Sequence, residues 1–276
     1  AMGVAPGKNT VSYGKAKDFV ASVIGQIAPH DSVERFEGLG VTVIEAFGRF
    51  ISPTEVQAGE RVITARRIVI ATGSSPFVPP IPGLSEVPYY TNETIFDLRA
   101  RPDHLLVIGG GPIGMEMAQA HRRLGSKVTV IEGQKVFAKD DPELAAILVQ
   151  KLRDEGIEIV EGALAQSVSS SGGDITVSTS GGSFCGTHLL MAVGRKANLE
   201  RLNLEAAGVA CDRTGIKVDA GLRSSNRRVY AIGDVAGGLQ FTHVAGYHAG
   251  VVIRSMLFGL PAKAKSTHIP WATYTD

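Results

Sequence analysis

The stretch Leu105-Leu106-Val107-Ile108-Gly109-Gly110-Gly111-Pro112-Ile113-Gly114 decides the fold of this chain of 276 residues. Four apolar residues run straight into G-x-G-x-x-G, with Pro112 placed where a helix would begin, so the segment reads as strand, tight turn and first helical turn. Each glycine then has its own reason. Gly109 permits the turn, Gly111 lets backbone approach a pyrophosphate, and Gly114 lets helix and strand pack closely, while the helix N-terminus offers free N–H groups to phosphate oxygens.

Downstream, a helix to about Leu124, a strand Val128 to Ile131, a helix Glu143 to Glu155 and a strand Ile157 to Val160 complete a βαβαβ unit, the core of a doubly wound parallel sheet. Asp141 and Pro142 mark the second helix start as N-cap and N1. Glu132 ends the second strand about 20 residues beyond the glycine turn, where an acid accepts from the hydroxyls of an adenosine ribose. A carboxylate there repels a 2′-phosphate, and no arginine occurs between Glu132 and Gln150 to clamp one, although Lys135 and Lys139 are near in sequence. NAD(H) is therefore expected over NADP(H). Glu116, in the first turn of the helix, also suits the helix dipole.

Other strands end on glycine as well. Arg67-Ile68-Val69-Ile70-Ala71 reads as a strand covered on both faces and runs into Thr72-Gly73; Leu189 to Val193 runs into Gly194-Arg195; Val229 to Ile232 runs into Gly233-Asp234. An acid at such an edge can hold a polyol hydroxyl. Ile175 to Thr179 lies between the turns Gly172-Gly173 and Gly181-Gly182, and a long apolar helix is expected from about Val244 to Leu260. Near the start, Phe19, Val20, Val23, Ile24 and Ile27 fall at helical spacing before Pro29, and Gly40 to Glu45, Gly48 to Ser52 and Glu60 to Thr64 read as a small antiparallel meander. The proline-rich stretch from Pro76 to Pro88 is a candidate domain boundary.

Composition limits the partners. Lys plus Arg number 28 against 27 Asp plus Glu, a net charge of +1, so no basic field argues for nucleic acid. Glycine is in excess, 33 residues or about 12% against roughly 7% in average usage. Two separated cysteines, Cys185 and Cys211, fit neither a disulfide scaffold nor a zinc cluster and suit a reducing cytoplasm. No apolar run reaches the length of a membrane span, and the first residues lack the pattern of a secretory signal. His243 and His248 are spaced for neither one helix face nor a zinc pair, so neither a metal site nor a catalytic base is expected.

The order of these motifs resembles the flavin-dependent pyridine nucleotide-disulfide oxidoreductases, and within them the mercuric reductase and dihydrolipoamide dehydrogenase branch. The resemblance rests on Ala71-Thr72-Gly73, on G-x-G-x-x-G with its trailing Glu132, on Ala192, Gly194, Arg195 and Asn198, on Val229 to Asp234, and on Thr242, His243 and Ala245. It implies that Gly109, Gly111, Pro112, Ile113 and Gly114 cradle NAD(H), that Glu132 holds its ribose, that Gly194 lies near the same cofactor, and that Glu116 lies near the nicotinamide. It also implies that Thr72, Gly73 and Gly233 flank an FAD site, that Asp234 binds the ribityl chain, and that Thr242, His243 and Ala245 face the isoalloxazine.

By this resemblance the chain is α/β, with a three-layer Rossmann-like NAD domain (76–198) inserted into a partial FAD-binding domain (1–75 and 199–268) and the start of a dimerisation domain (269–276). Family members also carry a second G-x-G-x-x-G, a Cys-x4-Cys redox disulfide and a C-terminal His-Glu pair, none of which occurs here. The expectation is thus the middle of a homodimeric enzyme that passes electrons from NADH through FAD to a disulfide, with a small-molecule or disulfide substrate and no turnover by this chain alone. An NADH oxidase or ferredoxin-reductase-like enzyme, or a nucleotide-binding module, is the alternative.

Overall fold

A computed structural model of the protein describes residues 11–275. In chain order the elements are helix α1 (Tyr13–Ile27) and the short α2 (Val33–Gly38), then strands β1 (Gly48–Ser52), β2 (Glu55–Ala58), β3 (Arg61–Thr64), β4 (Ile68–Ile70) and β5 (Ser74–Pro76). β6 (His104–Ile108), α3 (Pro112–Arg123), β7 (Lys127–Ile131), α4 (Pro142–Asp154) and β8 (Glu158–Val160) follow in alternation. Strands β9 (Ala165–Ser171), β10 (Asp174–Thr179), β11 (Gly182–Gly186), β12 (His188–Met191) and β13 (Arg195–Ala197) come next, then β14 (Cys211–Asp212), β15 (Gly215–Ile216), β16 (Val229–Ala231) and α5 (Thr242–Phe258). The chain divides into two compact units, one of described residues up to Arg35 with Pro76–Gly194 and Thr273 onward, the other of Phe36–Ser75 and Arg195–Ala272.

The first unit is built on a parallel sheet in the order β12-β6-β7-β8. Side-chain alternation divides its strands between two cores. Leu105, Val107, Val128, Val130 and Leu190 pack with Met115 and Ala118 of α3 and Val149 and Leu152 of α4. Leu106, Ile108, Ile131, Leu189 and Met191 face Val168, Ile175 and Val177 of the antiparallel meander β9-β10-β11. Both faces are therefore covered, which is why β6 and β12 need apolar residues at consecutive positions. The result is the expected three-layer α/β arrangement. Asp141 caps α4, its Oδ1 accepting from the amides of Glu143 (3.0 Å) and Leu144 (3.2 Å).

Helix α1 forms where the spacing predicts it but presents a different face. Phe19 is 71% and Ile24 54% exposed, whereas Tyr13 and Lys17 are buried. Polar groups dock it. The Tyr13 hydroxyl meets His121 Nε2 at 3.4 Å, Lys17 Nζ donates to the Ile95 carbonyl at 3.3 Å and lies over the Phe96 ring, and Asp18 pairs with Arg99.

In the second unit β1-β2-β3 form an antiparallel meander and β4 pairs in parallel with β16. Two expectations are corrected here. Gly40 to Glu45 forms no strand, and the missing member of the meander is Glu55–Ala58; β-branched residues make a strand only where they pair with a neighbour, the tight turn at Pro53 and Thr54 brings Glu55–Ala58 onto β1 instead, and Val41 remains exposed. β4 is covered on one face only: Ile70 joins Phe50, Val229 and Ala231 in a core, while Val69 is 37% exposed. Tyr230 points the other way and packs with Leu222 and with Val251 and Val252 of α5.

His121 is buried, which holds its pKa below the ordinary histidine value; its Nδ1–H donates to the Met117 carbonyl, so the neutral ring presents Nε2 to Tyr13. His104, His188 and His248 are displaced in the same direction by burial. Between the depressed folded pKa and the unfolded value the unfolded chain binds more protons, so stability rises with pH across that window and falls on acidification below about pH 6.5. His121→Gln should narrow the difference in unfolding midpoint between pH 5 and pH 7.5, read by thermal denaturation.

Candidate functional site

At the end of β6 the chain turns over bare backbone. Gly109 has φ +114°, and a Cβ there would stand 2.3 Å from the Ala192 carbonyl oxygen. A Cβ on Gly114 would stand 2.1 Å from the Gly109 carbonyl oxygen, so α3 rests directly on the strand ends. Gly110 is equally confined, with Val136 Cγ1 at 2.3 Å from the position of its Cβ. Gly111 differs. Its φ is ordinary, and a Cβ would meet nothing within 4 Å, which leaves an open lane above the backbone.

That lane leads to the N-terminus of α3, where Gly111 is the N-cap, Pro112 occupies N1 and no side chain caps the end. The free amides of Ile113 and Gly114 follow, with the positive end of the helix dipole behind them. Glu132 flanks the turn. Its Oε2 accepts from the Gly110 amide at 2.7 Å and its Oε1 from the Gln134 amide at 2.8 Å. A carboxylate has about four acceptor positions, so roughly two remain for a ligand hydroxyl. The open backbone, the uncapped amides and the adjacent acid fit a dinucleotide's diphosphate and ribose.

The end of β12 abuts this turn through Ala192, and Gly194, with φ +120° and open space around its α-carbon, follows directly. Glu116 has a partner the sequence did not reveal: its Oε1 accepts from the Tyr274 backbone amide at 2.9 Å.

The second unit gathers the remaining residues. Thr72 Oγ1 donates to the Asn198 carbonyl at 2.8 Å, Asn198 Nδ2 donates back to the Thr72 carbonyl at 2.9 Å, and the Asn198 amide donates to the Gly73 carbonyl at 3.0 Å. Ser74 Oγ donates to Asp234 Oδ2 at 2.6 Å and accepts from Arg195 Nε at 2.6 Å, with Arg195 Nη2 on the Ser74 carbonyl. Asp234 is thereby held by a hydroxyl relayed from a cation, and its side chain is 20% exposed. In the sequence Arg195 and Asn198 stand only as parts of a motif, and Ser74 has no motif of its own. The signal was available in the G-R-x-x-N spacing, because a strand end that carries a cation and an amide can strap its neighbour.

Gly233, at φ +66°, lies against α5, with 3.1 Å between its hypothetical Cβ and that of Ala245, so both positions must be small. Its amide donates to His248 Nδ1 at 3.2 Å, and burial holds that ring's pKa below the usual value, in keeping with a neutral acceptor. Thr242 opens α5, whose N-terminus has no side-chain cap, and His243 stacks on Phe241 at 5.4 Å and contacts the Pro270 carbonyl through Nε2 at 2.9 Å. A polar acid, a cramped glycine turn and an uncapped helix start suit a polyol with a polar ring attached. Cys185 and Cys211 are free, exposed thiols outside both clusters.

Comparison with known proteins gives the context. The family described as "Pyridine nucleotide-disulphide oxidoreductase" matches residues 4–249. Mercuric reductases of Acidithiobacillus ferrooxidans (37% identity over 253 residues, 88% of this chain and 46% of that protein) and Bacillus cereus (37% over 250 residues, 88% and 40%) are similar. The chain thus spans less than half the length of these relatives. Among solved structures, the Cu(II) complex of the HOCl-induced flavoprotein disulfide reductase RclA from Escherichia coli has TM-score 0.85 at 28% identity, covering 92% of this chain and 59% of that one. LpdA from Mycobacterium tuberculosis has TM-score 0.87 at 26% identity, covering 98% and 61%.

The glycines of the turn separate into two kinds. Gly114→Ala, which drives a methyl into the Gly109 carbonyl, should destabilise the fold by about 1–3 kcal/mol. Gly111→Ala should leave the unfolding free energy within about 0.5 kcal/mol of the parent. Chemical denaturation of the two variants side by side checks the distinction.

Proposed function

The chain belongs to the pyridine nucleotide-disulphide oxidoreductase family, and on that premise we propose that it is the nucleotide-handling part of an NADH- and FAD-dependent reductase whose electrons reach a redox disulfide and then a disulfide or thiol-bound small-molecule acceptor. The observation that carries this reading is the open lane over Gly111 at the uncapped start of α3, with Glu132 at its side. In this reading the free amides of Ile113 and Gly114 seat the diphosphate of NADH over the turn that Gly109, Gly111 and Pro112 shape, Glu132 accepts from its ribose, and Gly194 and Glu116 border the same nucleotide. The mercuric reductases and flavoprotein disulfide reductases among its relatives support this class of acceptor.

Flavin, when bound, supplies the two-electron relay between nicotinamide and disulfide. The residues that would hold it are Asp234, steadied by Ser74 and Arg195, with Thr72, Gly73 and Gly233 at the strand ends and Thr242, His243 and Ala245 at the start of α5. Asp234, whose Oδ2 accepts from Ser74, would offer Oδ1 to a hydroxyl of the bound group. A homodimer in the cytoplasm completes the proposal. Cys185 and Cys211 are free, exposed thiols that form no disulfide, and this chain alone should reduce disulfides with NADH at no more than a trace rate.

Isothermal calorimetry tests the nucleotide site. The chain should bind NADH, Glu132→Ala should weaken NADH about tenfold with a smaller loss for NADPH, and Gly111→Ala should reduce both. No heat of binding from a folded sample, or equal losses for the two nucleotides in Glu132→Ala, would count against the assignment. For the flavin site, Asp234→Ala should weaken FAD, measured by quenching of flavin fluorescence, while leaving NADH affinity unchanged.

A further inference from the structure

Glu132 can meet a ribose only if its carboxylate is aimed, and the aim comes from two backbone amides on opposite sides of it, Gly110 in the turn and Gln134 in the loop that follows. The loop must therefore be fixed. The Phe137 amide donates to the Gly110 carbonyl at 2.9 Å, and the Gly162 amide donates to the Gln134 carbonyl at 2.9 Å. Phe137 is buried with φ +53°, a backbone region that costs energy for a bulky residue and persists only where its surroundings enforce it.

Apart from Glu132 itself, one side chain bonds this loop among the described residues. Glu161, just beyond β8, accepts the Val136 amide on Oε1 at 3.0 Å, and its Oε2 is 3.5 Å from Arg153 Nη2 on α4. Val136 in turn presses on Gly110, whose missing Cβ would be 2.3 Å from Val136 Cγ1. A continuous chain of contacts thus runs from Arg153 through Glu161 and Val136 to Gly110, and Gly110 carries one of the two amides that aim Glu132.

We propose that Glu161 is a positioning residue for nucleotide recognition, holding the 133–137 loop so that Glu132 faces the adenosine ribose of NADH. The inference rests on the reading of Glu132 as the ribose acceptor. It places discrimination between NADH and NADPH partly outside the residues that would touch the nucleotide. Loss of Glu161 frees Glu132 to swing, which costs NADH a ribose contact that NADPH does not use.

The test is titration of the whole chain with NADH and NADPH, following nucleotide fluorescence. Glu161→Ala should weaken NADH about tenfold and NADPH by less than about twofold, so that the preference falls. Glu161→Gln, whose side-chain oxygen still accepts the Val136 amide, should recover most of the lost NADH affinity. If the alanine variant does not fold, Glu161→Asp, which keeps the charge and withdraws it by one methylene, should show the same fall in preference. Equal losses for both nucleotides, an unchanged NADH affinity, or no recovery in Glu161→Gln overturns the positioning role. An unchanged preference in Glu132→Ala overturns instead the reading on which the inference rests.

Discussion

Between the carbonyl oxygen of Gly109 and the α-carbon of Gly114 there is no room for a methyl group. That contact brings the first turn of α3 down onto the ends of β6 and β12, and the rest of the first unit follows from it. With the helix so close, its apolar face packs in one core with Leu105, Val107 and Leu190, and its uncapped first turn lies at the strand ends. Packing and ligand recognition are thus two results of a single steric condition. The glycine excess has a second origin in backbone conformation, because Gly109, Gly194 and Gly233 each take a left-handed φ at or just past a strand end.

The parallel layer was legible because its signals are local. Uninterrupted apolar runs, a glycine fingerprint and a capping Asp141 each report on a few neighbouring residues, and β6, α3, β7, α4 and β8 formed within a residue or two of their expected bounds. Where the outcome depended on distant partners, pattern reading failed. Gly40 to Glu45 has the composition of a strand but pairs with none, while Glu55–Ala58 pairs because a tight turn delivers it to β1. The stripe of α1 was found, yet the helix is fastened by Tyr13, Lys17 and Asp18, whose partners lie some 80 to 110 residues away. Helical spacing identifies a helix; it does not say which face is covered.

The site divides in the same way. The glycines and Glu132 could be placed from spacing, since strand, turn and helix fix their geometry. The hydrogen bonds that orient the acids could not, because Ser74, Arg195 and Asp234, or Glu132, Val136 and Glu161, meet only after the strands have assembled. In both clusters a carboxylate at a strand end is held by groups from a neighbouring strand or loop. Each arrangement leaves acceptor capacity on the acid, which makes it able to bind a hydroxyl and spares it the cost of an unsatisfied partly buried charge.

The open space over Gly111 also bears on how such a sequence drifts. Gly109 and Gly114 answer to the fold, so replacing either costs stability whatever the chain has ceased to bind. Gly111 answers only to what lies above it. In a duplicate released from its former role, that middle glycine is the first of the three that mutation can replace without loss of the protein, and its replacement would record the change of occupation while the surrounding architecture stayed intact.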